Sequence, residues 1–344
     1  MTKLTIGVDI AKSVFHLVFM NATGRVLRKK KLKRYQMIDF FTQTEPSVIV
    51  IEACGSSHYW SRELTKAGHE VKCIAPQYVV PYRKGNKNDY NDAEAIAEAS
   101  QRAEMRFVPL KSQAQQDIQL IHRIRERMIA QQTALSNQMR GLLAEYGIVF
   151  PKGIAKLLSE LPETLENAEN GLSTMAVRQF QALLDDLRLV RKRIKQMDKD
   201  VLQLSKAIPD CERLMSMTGI GPIIATALYA SIGQGHAFDN GRHLAAWLGV
   251  VPKQHSTGDN PRLQGISKRG NIYLRTQMIN GARAALRHLG DKKDNVSQWC
   301  RDCLARMNFN KACVALANKM VRMAWAMLHY QQDYQPGNIN KKQA

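Results

Sequence analysis

Residues 4–20 read LTIGVDIAKSVFHLVFM. Two apolar, β-rich runs, Leu4 to Ile10 and Val14 to Met20, flank a polar break too short for anything but a tight connection, which predicts two strands. Asn21-Ala22-Thr23-Gly24 reads as a turn, and Arg25 to Lys33 as a third strand. Links this short make the three an antiparallel meander. Ser47 to Ile51 is a β-branched run typical of a buried strand; a helix from about Ser56 to Ala67 and a strand at Val71 to Ala75 follow. A meander followed by βαβ units predicts an α/β domain over residues 1–110, with helices on both faces of one sheet.

The chain beyond is helical. From Phe180 the apolar positions Phe180, Leu183, Leu187, Val190, Ile194, Met197, Val201 and Leu204 alternate steps of three and four, a coiled-coil seam within residues 111–205. An earlier helix with Ile121, Ile124, Met128, Leu135, Met139 and Leu142 can pair with it, and Gly147 to Ser173 reads as their connector. The pairing suits an intramolecular hairpin as well as a dimer. Residues 206–334 form a third, mainly helical segment, and 335–344 a disordered tail. The third segment opens on Gly219-Ile220-Gly221-Pro222 before a helix from Ile223 to Ile232. A Gly-x-Gly hairpin ahead of a helix N-terminus exposes backbone N–H groups to a phosphate, as in helix-hairpin-helix motifs; an ordinary glycine turn between helices has the same spelling.

Lys and Arg number 50 against 30 Asp and Glu in 344 residues, a net charge of +20. Such an excess makes a polyanion the default partner. Residues 206–344 carry 11 of these net charges, so this segment is the main candidate surface. The longest apolar stretch, Ala312 to Leu328, contains Asn318, Lys319 and Arg322, too polar for a membrane span. The N-terminus lacks the apolar core of a secretory signal, which predicts a cytoplasmic protein. Six cysteines show no disulfide spacing. Cys300-Arg301-Asp302-Cys303 has the spelling of half a metal site and equally that of a helix turn.

Two groups of residues carry candidate chemistry. Asp9 and Glu52 fall at strand ends, and Asp89 and Asp92 share a face at the head of a helix running to about Ala103. Four convergent carboxylates are the donors a hard divalent cation requires, and paired cations can clamp a phosphoryl displacement. Individually, Asp89 could cap its helix with Asp92 supporting the dipole, and Asp9 could serve a phosphate loop of sugar-kinase type, although no second such loop is present. The other group is Lys253-Gln254-His255-Ser256-Thr257-Gly258-Asp259-Asn260-Pro261-Arg262 with Ile266-Ser267-Lys268-Arg269-Gly270-Asn271 and Arg275. A serine ringed by Arg262, Lys268, Arg269 and Arg275 suits a nucleophile for a phosphodiester, or a plain turn beside a phosphate patch.

Gly7-Val8-Asp9, Ile51-Glu52-Ala53, Asn88-Asp89-Tyr90-Asn91-Asp92-Ala93, Gly219-Ile220-Gly221-Pro222, His255-Ser256-Thr257-Gly258 and Ile266 to Asn271 occur in one order. This set, spread over nearly the whole chain, resembles the DEDD transposases of insertion sequences, the Piv-like invertase family also called insertion-sequence family one-hundred-ten. The resemblance implies a ribonuclease H-like, RuvC-like N-terminal domain, a coiled coil and a C-terminal transposase domain. It implies that Asp9, Glu52, Asp89 and Asp92 bind Mg²⁺ and that Ser256 is the nucleophile forming a covalent protein–DNA intermediate. It further implies donor and target DNA as substrates, a bridge RNA as guide, dimers assembling to a tetramer with sites shared between protomers, and action at the bacterial nucleoid. The sequence departs from relatives at Asp259-Asn260, where glycine and lysine are common. A RuvC-like junction nuclease that only hydrolyses DNA is the alternative. A purely structural DNA-binding protein is disfavoured, because four carboxylates would repel DNA unless a metal neutralised them. Lys29, Lys30 and Lys31, with Lys33 and Arg34, read either as a charged edge strand or as a surface for the guide backbone. The absence of a recognisable helix-turn-helix or zinc finger agrees with specificity delegated to base pairing.

Overall fold

The computed structural model describes residues 4–85, 88–257, 260 and 262–337, in two compact units, Met1–Ala114 and Gln115–Ala344. The first unit is built on a five-stranded sheet of β1 (Thr5–Ile10), β2 (Val14–Met20), β3 (Val26–Lys33), β4 (Val48–Glu52) and β5 (Glu70–Ile74), in the order β3-β2-β1-β4-β5. β1, β2 and β3 pair antiparallel, and β4 and β5 add parallel to β1, as the meander and crossover signals predict.

Alternation along the strands divides the core. Ile6 and Val8 of β1 and Phe15, Leu17 and Phe19 of β2 pack with Met37 and Phe41 of α1 (Met37–Thr42) and Trp60 and Leu64 of α2 (Ser57–Lys66). Each such side chain, fully withdrawn from water, contributes about 1.5–3 kcal/mol. The opposite face meets a single-turn α3 (Pro76–Val79) and α4 (Asp89–Ser100), through Val50, Ile74, Val79, Ala95, Ile96 and Ala99. α4 comes very close because β1 presents a glycine there: a Cβ on Gly7 would lie 2.1 Å from the Ala93 carbonyl oxygen. Asp9, two residues on, therefore points to the α4 side. α4 ends at Ser100, one turn before the expected Ala103.

The second unit is helical apart from one hairpin. α5 (Gln113–Ala144) straddles the boundary between the units; α6 (Ile154–Glu166) and α7 (Thr174–Ala207) follow it. Met139 and Leu143 of α5, Leu157, Leu161 and Leu165 of α6, and Phe180, Leu184 and Leu187 of α7 form one cluster. The segment expected to be a mere connector thus holds a helix, whose leucines recur every four residues. The earlier helix turns its seam by one position: Leu143 is buried, whereas Leu142 is 45% exposed and Ile124 37%. On α7 it is Leu184, rather than Leu183, that is fully buried. Arg125 Nε donates to Asp198 Oδ1 at 2.6 Å, joining α5 to α7.

The remaining elements are α8 (Pro209–Met215), α9 (Pro222–Ile232), α10 (Gly241–Leu248), β6 (Pro252–Gln254), β7 (Leu263–Ile266), α11 (Ile272–Arg287), α12 (Asn295–Arg306) and α13 (Phe309–His329). Their core gathers Leu228, Leu244, Leu274, Met278, Leu316 and Val321, with the thiols of Cys300, Cys303 and Cys313 packed into it. Among the described residues no helix is long and apolar enough to cross a membrane. Residues 338–344 of the expected tail lie outside the described residues.

Candidate functional site

The register of the sheet assembles an acidic site at one end of β1. Asp9 pairs with His16 across the antiparallel β1–β2 ladder, so both side chains leave the same face, toward α4. Glu52 closes β4 one residue past the Val8–Ile51 pair, which sets it alongside Asp9. Asn88 is the N-cap of α4 and accepts from the Tyr90 N–H at 2.9 Å, so capping does not fall to Asp89. Asp89 begins the helix with its side chain 61% exposed, and its Oδ2 stands 3.3 Å from His16 Nδ1. Asp92, on the next turn, is buried and forms an ion pair with Arg83 Nε.

Three of the carboxylates bear on one another. Burial, then the charges of Asp92 and Asp89, hold the Asp9 carboxyl above the usual carboxylate range, against the opposing pull of His16 and Arg83. The Cys54 thiol, just beyond β4, is pushed up by burial and by the charges of Glu52 and Asp9. Negative charge here exceeds what Arg83 offsets. Donor atoms of Asp9, His16 and Asp89 all lie within 4.8 Å of one another, among the described residues the one such group of three. A small divalent cation with bonds of about 2.1 Å places its ligand atoms about 3–4 Å apart, so the donor set fits with slight closure.

Sequence reasoning missed His16 and Arg83. A signal for the former existed: within the alternation Val14, His16, Val18, Met20, one polar residue occupies a position otherwise apolar. His16 is 7% exposed, and its ring meets Tyr90 edge-on at 4.8 Å between centroids.

Ser256 lies in the connection of the β6–β7 hairpin. It is exposed, and its Oγ accepts from Gln254 Nε2 at 2.9 Å. His255 N–H donates to the Arg262 carbonyl at 2.9 Å, and Thr257 bridges Asn260, so the loop has defined flanks. Gly258, Asp259 and Pro261 lie outside the described residues. The hairpin is fastened to α10 by two left-handed glycines: a Cβ on Gly249 would lie 2.3 Å from the Arg269 carbonyl oxygen, and one on Gly270 2.0 Å from that of Trp247. Arg275, expected beside the serine, is 7% exposed; its Nη1 donates to the Leu248 and Arg269 carbonyls at 3.1 and 2.7 Å. It braces the segment between β7 and α11 against the end of α10. Arg262 is exposed in the Ser256 connection, and Lys268 and Arg269 are exposed in the segment between β7 and α11.

Gly219 is left-handed at φ +92° and approaches Gly281 of α11, with a Cβ placed 2.9 Å from the Gly281 carbonyl oxygen. Gly221 is the N-cap of α9 with open space about its Cα. The basic run lies on β3, at the sheet edge. Lys29 pairs with Glu94 at 2.9 Å, Lys30 covers the Phe40 ring at 4.1 Å, and Lys31 is exposed.

Residues 211–297 match the transposase IS116/IS110/IS902 family, and residues 6–148 match a transposase family of the DEDD IS110 type. The chain is 44% identical, over 96% of its length and 98% of the other's, to a probable family 20 transposase of Pseudomonas aeruginosa. The chain belongs to the IS116/IS110/IS902 transposase family. The transposase is likewise 42% identical to the transposase for insertion sequence element IS1111A of Coxiella burnetii, over 96% of this chain and 91% of that one. A pilin gene-inverting protein of Moraxella bovis is 24% identical over 75% of each chain. The transposase is therefore a DNA-cleaving and rejoining enzyme of an insertion sequence. Its acids fall within the first matched segment, and Ser256 with its basic neighbours within the second.

Proposed function

We propose that the chain excises and inserts its own mobile element as a site-specific recombinase, using Asp9, Glu52, Asp89 and Asp92 as a divalent-cation centre and Ser256 as nucleophile. The observation that carries the reading is the mutual charge of Asp9, Asp89 and Asp92 at the end of β1, a site short of positive charge inside a basic protein. The sheet order, with its meander and two parallel strands, supports a RuvC-like domain.

Asp9, Glu52 and Asp89 would hold a divalent cation, their oxygens being donors of the kind Mg²⁺ accepts, with Asp92 joining them as Arg83 yields. When bound, the ion supplies charge neutralisation for the developing phosphorane. Ser256 Oγ attacks a backbone phosphorus, its proton passing to a base, and the bond from phosphorus to the deoxyribose oxygen breaks, leaving a sugar hydroxyl. The serine–phosphate ester conserves the broken linkage, so the new strand's hydroxyl can displace Ser256 and restore a phosphodiester. Arg262, Lys268 and Arg269 offset phosphate charge, while Arg275 holds the segment that carries Arg269. Gly219 and Gly221 contribute backbone N–H groups toward DNA in a helix-hairpin-helix manner.

Donor and target DNA are selected by pairing with a bridge RNA, whose backbone Lys29, Lys30 and Lys31 contact. α5 and α7 supply a coiled coil through which dimers form and assemble to a tetramer. Domains at 1–110, 111–205 and 206–334 fit this division of labour. The test is Asp9→Asn and Asp92→Asn: both should abolish divalent-dependent strand cleavage and leave DNA affinity equal or slightly higher, since a repulsive charge is removed. Retained cleavage, or loss of folding together with binding, would defeat the metal-centre reading.

A further inference from the structure

The histidine opposite Asp9 has no place in a four-acid centre, yet it faces directly into it. His16 leaves β2 on the α4 side because Asp9 and His16 are register partners. Its side chain is 9% exposed, and its Nδ1 is buried without a hydrogen-bond partner. The nearest carboxylate oxygen, Asp89 Oδ2, stands at 3.3 Å outside hydrogen-bonding geometry. A buried ring nitrogen left unpaired carries its desolvation cost uncompensated, which a ligand in the site would recover. Tyr90, packed edge-on against the ring, fixes the imidazole so that Nδ1 stays directed at the two carboxylates.

We propose that His16 is itself a metal ligand, its Nδ1 joining Asp9 and Asp89 in a mixed nitrogen–oxygen site that takes a first-row transition ion in preference to Mg²⁺. This rests on the reading of the acids as a metal centre and adds to it a donor and a selectivity. Carboxylates suit Mg²⁺ and Mn²⁺ alike, whereas an imidazole nitrogen favours the transition ion over a hard alkaline-earth one. Asp92 is held away by Arg83, which leaves Asp9, His16 and Asp89 as the three donors already gathered. The same positions explain why the β2 strand spends a buried place on a polar ring.

The probe is Mn²⁺ at one equivalent, added to the metal-free full chain and followed by pulsed electron paramagnetic resonance and titration calorimetry. The wild type should show the ¹⁴N coupling of a directly bound imidazole. His16→Gln should lose that coupling and bind Mn²⁺ at least about tenfold more weakly, since loss of even an outer partner costs 10–100-fold. Its Mg²⁺ affinity should change far less. Asp9→Asn should abolish the site. Mn²⁺ binding that Asp9→Asn abolishes but that shows no ¹⁴N coupling would overturn the role of His16 and leave the acid centre standing. Coupling that persists in His16→Gln would assign it to another histidine and also overturn the proposal. Binding indifferent to Asp9→Asn would overturn the acid centre as well. The wild-type spectrum is decisive even where His16→Gln folds poorly.

Discussion

Replacing Gly7 by alanine tests whether the close approach of α4 to β1 sets the acid geometry. The added Cβ would meet Ala93 O at 2.1 Å, Ala97 N at 2.8 Å and Ala97 Cβ at 2.9 Å. Two of these atoms are backbone and cannot rotate aside, so α4 itself must move. Restoring an ordinary contact of 3.4 Å to Ala93 O requires about 1.3 Å of displacement. α4 carries Asp89 and Asp92, while Asp9 stays on β1, so the displacement opens the carboxylate cluster. Overpacking costs about 1–3 kcal/mol, and backbone opposition puts this case near the upper end. For a unit of this size that lowers the melting temperature by about 10–20 °C. Cleavage should fall about 100-fold, the usual effect of a catalytic group misplaced by about 1 Å. Thermal unfolding and strand cleavage on supercoiled DNA measure both. A variant melting within about 2 °C of wild type and cleaving at its rate would show that the α4–β1 approach does not set the acid geometry.

Three further outcomes follow from the same contacts. In metal-free buffer Asp9→Asn should raise the melting temperature at pH 7: the folded pKa of Asp9 is raised, so its protonation favours the fold, and the benefit is present below pH 3.8 and lost as pH rises through the raised value. Melting curves of both proteins should converge toward pH 3.8, and a gain that persists there would point to another cause. Leu187→Glu buries a charge in the α5–α6–α7 cluster and should cost about 3 kcal/mol or more; calorimetry reads it, and an unaltered melting temperature would contradict the packing of Leu187 within that cluster. Nuclease-treated protein should bind DNA without sequence preference and fail to recombine it until the element's noncoding RNA is added; site-specific recombination without RNA would return specificity to the C-terminal segment.

The sheet was legible because each strand announces itself twice, by alternation and by the turn residues that end it. Asp9 and Glu52 were legible as strand-end acids for the same reason, and Asp89 with Asp92 by their spacing on a helix. His16 was not, since a polar residue on a buried strand gains meaning only from the residue across the ladder. Arg83 precedes α4 by several residues and meets Asp92 only through the fold. Arg275 shares its composition with exposed Arg262 and Arg269; that its guanidinium turns inward to two carbonyls is a property of the α10–hairpin junction. The helix α6 was obscured by Pro162, which reads as a breaker although Leu157, Leu161 and Leu165 keep the helical period through it. Gly219 was read for phosphate contact, and what the fold shows at that position is close packing against Gly281.

In the mechanism proposed, strand cleavage passes through an ester between Ser256 and DNA. The most direct measurement is to quench the recombination reaction with denaturant, digest the protein, and identify by mass spectrometry the peptide that carries DNA. A single adducted peptide is expected, with the phosphate on Ser256 Oγ, and it should be absent from Ser256→Ala, which should still fold because Ser256 is an exposed loop residue. Cleaved DNA with no adduct would instead mark a hydrolytic nuclease, and an adduct on Ser267, whose half-buried hydroxyl lacks a hydrogen-bond partner among the described residues, would move the nucleophile to the residue just past β7.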